Sequence, residues 1–81
     1  MAVNNLSLNK GLKTLSDSWG DISKVLRSGK RGTIEYAEAL GEIKTSMEEA
    51  FGYAPSTEFI EANLGTIEEL ANGNVEVLDE L

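Results

Sequence analysis

The chain has no cysteine, no histidine, and a single proline among its 81 residues. Without cysteine there is no disulfide, and without either residue the usual zinc-binding sets cannot be assembled. Missing cysteines also leave the redox compartment unmarked. General acid–base chemistry would fall to carboxylates, lysine or tyrosine, a narrow set for so short a chain. Long hydrophobic runs are lacking as well. No stretch approaches the roughly 20 apolar residues that cross a bilayer, so no membrane partner is expected. The opening "MAVNNLSLNK" has no continuous apolar segment, so no secretory signal is expected either.

What is present suits a small folded domain. Hydrophobic residues make up 41% of the chain, above the usual range for disorder. One domain is expected, with a core only marginally sufficient at this size. Net charge is −7 and unevenly spread. Residues 1–31 carry Lys10, Lys13, Lys24, Arg27, Lys30 and Arg31 against Asp17 and Asp21, a balance of +4. Residues 32–81 set Lys44 against twelve acids, a balance of −11. The chain is basic first and acidic after.

Hydrophobic spacing gives an all-α reading. Leu8, Leu12, Leu15, Trp19, Ile22 and Leu26 recur at steps of three and four, predicting a helix over about 6–28. Gly11 and Gly20 weaken it by about 1 kcal/mol each, and Gly20 is a place for a bend. Ser28-Gly29-Lys30-Arg31-Gly32 stops it. Thr33 is the expected N-cap of a second helix over 34–51, with Tyr36, Leu40, Ile43, Met47, Ala50 and Phe51 on its apolar stripe. Gly52 ends that helix. Ser56 or Thr57 caps a third over 57–63, and Asn63 and Gly65 break it from a fourth over 65–72. Asn74 caps a last short helix over 75–81, with Val75, Leu78 and Leu81 inward. The architecture is a small helical bundle, two longer antiparallel helices crossed by two or three short ones. The pattern runs off the end without a cap, the expectation for a piece of a longer chain.

Candidate sites fare unevenly. Glu48-Glu49 and Glu68-Glu69 are adjacent on a helix and point apart, which reads as solvated surface rather than a carboxylate pair. "RSGKRGT" echoes a phosphate-binding loop, but Lys24 stands where glycine is needed, Arg31 where Ser or Thr is needed, and a helix precedes it. "NGNVEVLDE" lacks calcium-loop spacing. Trp19, Tyr36, Phe51 and Phe59 read as core, not as a ligand pocket. The basic flank of the first helix carries Lys10, Lys13, Lys24, Arg27 and, if the helix reaches it, Arg31. Asp17 and Asp21 share that flank, Asp21 within reach of Lys24, and the acidic remainder would repel phosphates, so nucleic acid is an unfavoured partner. Lys24, Arg27, Lys30 and Arg31 are the candidate interaction surface. No catalytic residue, cofactor, metal or small-molecule substrate is expected.

Two resemblances bear on function. "MEEAFGYAPSTEFIEANLGTIEELANG" resembles the second half of an acyl carrier protein. Such a protein opens its second helix with a phosphopantetheine serine in an Asp-Ser-Leu motif. The corresponding "TIEYAEAL" contains no serine, so the carrier function is not expected. Nearly the whole chain is similar to a segment of phage tail tape-measure proteins from prophages of Gram-positive bacteria. The residues that carry the likeness are "LSDSWGDI", "YAEALGEIKTSMEEAFG", "STEFIEANL" and "ANGNVEVLDEL". This resemblance implies a structural, non-enzymatic module of a long helical chain that occupies the tail tube and templates its length. Its partners would be other segments of the same or neighbouring tail proteins. Its location would be the virion tail, and the host cytoplasm during assembly. A generic bacterial helical interaction domain is the alternative, and a degenerate carrier-like domain a further one. The charge asymmetry fits docking of the basic helix onto acidic helices, within one chain or end to end.

Overall fold

The computed structural model describes residues 5–80, which form four α-helices and a closing 3-10 helix. These are α1 (Asn5–Arg27), α2 (Ile34–Phe51), α3 (Thr57–Ala62), α4 (Leu64–Ala71) and the 3-10 helix Val75–Glu80. There is no strand among the described residues. The two long helices lie side by side, α3 and α4 pack across them, and the last turn packs on α4. This is the small helical bundle that the spacing predicts.

Each boundary has a local cause. α1 stops at Gly29, whose φ of 72° an L side chain rarely adopts. Lys24 and Arg27 occupy its last turn, where the partial negative charge of the helix end favours them. The Tyr36 N–H donates to Thr33 Oγ1 at 3.2 Å, the N-cap of α2. Gly52, at φ 87°, donates its N–H to the Glu48 carbonyl at 2.7 Å and closes α2. The return is held by buried Pro55, by Lys44 Nζ donating to Thr57 Oγ1 at 3.0 Å, and by the Phe59 N–H donating to Ser56 Oγ at 3.1 Å.

The break between α3 and α4 falls at Asn63, and α4 starts at Leu64, one residue before the expected start at Gly65. Asn63 Nδ2 donates to the Phe59 carbonyl at 2.9 Å, so its side chain satisfies the end of α3 and makes no cap bond to α4. The Glu76 N–H donates to Asn74 Oδ1 at 3.2 Å, as expected of a cap.

The core joins all four α-helices. Leu15, Trp19, Ile22 and Leu26 of α1 meet Tyr36, Leu40, Ile43 and Met47 of α2, with Ile60, Ile67 and Ala71 closing over them. A fully buried Ile or Leu contributes about 1.5–3 kcal/mol. Ile22, Ile43, Ile60 and Ile67 are all but inaccessible to solvent.

Three expectations about packing change. Val75 points outward, 48% exposed, and Val77 is buried in its place. The chain enters the last turn through Gly73 at φ 94°, and that turn resets which residues face inward. Phe59 is half-buried and outside the main cluster, because its neighbour Ile60 takes the inward position on the single α3 face that touches α2. Phe51 packs against the cluster only from its edge. Leu81 lies outside the described residues. Gly11 is more than a weak point in α1. A Cβ there would lie 2.6 Å from the Ala50 Cβ, the Ala50 nitrogen and the Ser46 oxygen, so only glycine permits this approach of α1 to α2. α1 continues unbroken through Gly20.

Candidate functional site

The structure divides the predicted basic surface in two. Arg27 Nη2 reaches Glu68 Oε2 of α4 at 2.6 Å, and the Trp19 indole N–H donates to the same oxygen at 3.1 Å. Arg31 lies in the loop beyond α1, not on its flank, because the helix has already ended at Arg27. Its Nε stands 3.2 Å from Glu61 Oε2 of α3, which also accepts the Tyr36 hydroxyl at 2.5 Å. Arg27 and Arg31 thus fasten α3 and α4 onto the end of α1, the intramolecular form of the docking that the charge asymmetry suggests. Glu68 belongs to a pair read as solvated surface, and here it is a bridge. A four-residue spacing on α1 carries no sign of that role, since its partners lie 41 and 49 residues away.

Both acids alter the local electrostatics. The Arg27 guanidinium, and then the Trp19 indole, stabilise the Glu68 carboxylate and hold its pKa below the usual 4.5. The hydrogen bond to Glu61 favours the neutral Tyr36 phenol, and burial and the nearby carboxylate charge add to this, raising its pKa above 10.0.

Lys24 and Lys30 remain exposed, in no ion pair among the described residues. They edge a shallow depression at the α1–α2 loop that also includes Asp21, Val25 and Glu35. The expected approach of Asp21 to Lys24 is not made among the described residues; the ion pair on this flank is Lys13 to Asp17, at 2.9 Å. The four-residue step places those two on one face, whereas Asp21 turns toward a groove.

That groove is an open feature of about 600 Å³ between α1 and α2, on the side away from α3 and α4. Among the described residues its lining comes only from the two long helices. Ile22, Ala39 and Ser46 form a buried floor. Thr14, Ser18 and Val25 stand on the α1 wall, Gly41 and Thr45 on the α2 wall. Asp21, Glu35, Glu38 and Glu42 rim it, all exposed and in no ion pair among the described residues. Asp21, Val25 and Glu35 also line the depression that carries Lys24 and Lys30, so the groove runs on toward the loop.

No group of three or more acids among the described residues is arranged to hold a metal ion. No helix among them is long and apolar enough to cross a membrane. No protein-family model, curated protein or solved structure matches the chain.

The groove offers a concave, shallow face with acids on its rim, lined by the two long helices. Sequence reasoning missed it because its members are individually unremarkable small and acidic residues. The available signal was the line of Thr14, Ser18, Asp21 and Val25 at steps of four, three and four.

Proposed function

We propose that this chain is a structural, non-enzymatic module of a phage tail tape-measure protein, contributing to tail assembly and length determination through protein–protein contacts. The observation that carries the interaction role is the asymmetry of the bundle. One side of the α1/α2 pair is closed by α3 and α4, while the other presents an open acidic groove. The resemblance along "YAEALGEIKTSMEEAFG" and "STEFIEANL" supplies the parent protein. Partners in this reading are neighbouring segments of tail proteins, in the host cytoplasm during assembly and then in the virion tail.

Gene neighbourhood and virion composition test the reading together. A very long gene lying between tail-tube and tail-tip genes, with peptides of this segment recovered by mass spectrometry from purified tails, is the expected result. A lone short reading frame whose product is absent from virions would sink it, and would leave a free-standing bacterial interaction domain.

A further inference from the structure

We infer that the α1/α2 groove receives a helix whose narrow apolar edge is flanked by lysine and arginine. The inference rests on the reading of this module as a protein-interaction unit and names the chemistry of its partner. The groove's dimensions fit a helix. Thr14 to Val25 on α1 spans about 16 Å at 1.5 Å per residue, or three turns, and Glu35 to Ser46 spans the same on α2. Small side chains on both walls allow close approach to the buried floor of Ile22 and Ala39.

The glycines separate an inner contact from an outer one. A Cβ at Gly11 would collide with Ser46 and Ala50, so that glycine is accounted for by the crossing of α1 and α2. A Cβ at Gly41 would meet nothing within 4 Å. Gly41 nevertheless sits inside α2, where glycine costs about 1 kcal/mol relative to alanine. No contact among the described residues explains that cost, and Gly41 lies on the groove wall, where a second helix would need the space.

Charge decides which helix. Asp21, Glu35, Glu38 and Glu42 put four carboxylates on the rim. An acidic or neutral occupant would leave them facing one another across a covered groove, whereas lysine and arginine on both flanks complement them.

The test uses two synthetic helical peptides with the same alanine–leucine edge, one flanked by lysines and the other by glutamates. The lysine peptide is expected to bind the 81-residue chain and the glutamate peptide not to. The double variant Glu38→Lys/Glu42→Lys is expected to bind at least about tenfold more weakly. Glu58→Lys/Glu69→Lys makes the same change in net charge on α3 and α4 and is expected to keep full affinity. Gly41→Leu, with helicity checked by circular dichroism, is expected to fold and to lose binding because its side chain fills the wall. Equal affinity across these variants would mean unspecific attraction to an acidic protein and would overturn the assignment. So would failure of the lysine peptide to bind, or a dimer of the chain that Gly41→Leu returns to monomer, since the occupant would then be a second copy. Peptide binding and presence in tails are separate measurements, so either reading can fail while the other stands.

Discussion

Single residues carry much of this fold because no disulfide shares the work. Trp19 is 6% exposed, packs between the long helices, and spends its indole N–H on Glu68. Trp19→Ala is expected to cost ~3–5 kcal/mol in chemical denaturation. That is a large share of a small domain's stability, so the variant is expected to be largely unfolded. A fully folded variant would mean that the indole contributes little packing. The glycines of α1 should respond in opposite directions. Gly11→Ala pushes a methyl against the Ser46 and Ala50 backbone, an overpacking cost of about 1–3 kcal/mol. Gly20→Ala meets open space and should gain about 0.5–1 kcal/mol through helix propensity. Thermal melts of the two variants that moved in the same direction would contradict the helix crossing.

At the scale of elements, the ion-paired acids make the attachment of α3 and α4 sensitive to pH. The Glu68 pKa is lowered in the folded state, so the stability it adds is present above the unfolded value near 4.5 and is lost as pH falls through the folded value. Glu68→Gln should therefore flatten the acid limb of a stability–pH curve and leave its neutral region less affected. The Tyr36 pKa is raised, so its contribution is present below about pH 10 and is lost as pH rises through the folded value. Tyr36→Phe should reduce the loss of helicity above that pH, measured by circular dichroism; an unchanged alkaline limb would exclude Tyr36 as its source.

Element boundaries were the most legible part of the sequence, because they are set by local chemistry. Thr33, Gly52, Ser56 and Asn74 act where their residue types indicate, through hydrogen bonds or a left-handed turn confined to a few residues. The inward face of the last turn was not legible, since Gly73 sets its direction. Nor was the bridging role of Glu61 and Glu68, which depends on how α3 and α4 lie across α1 and α2. The groove was legible only in part: the steps of Thr14, Ser18, Asp21 and Val25 mark one face of α1, but Thr14 and Thr45 come to line one groove only when the two helices pack together.

The whole molecule is an oblong body of 35 × 21 × 20 Å. Two surface ion pairs, Arg27–Glu68 and Arg31–Glu61, hold its own helices together, while the groove rim keeps four acids in no ion pair among the described residues. A folded module and a continuous rod of the same sequence contribute differently to a ruler. Eighty-one residues in one uninterrupted α-helix would span about 120 Å. The compact bundle set lengthwise spans 35 Å. Tail length in an in-frame deletion of these residues, measured by electron microscopy of intact virions, tests the proposed tape-measure role most directly. The expected result is assembled tails shorter by close to the 35 Å long axis of the bundle. Tails of unchanged length, or shorter by about 120 Å as for an extended helix, would contradict a compact module within the tape measure.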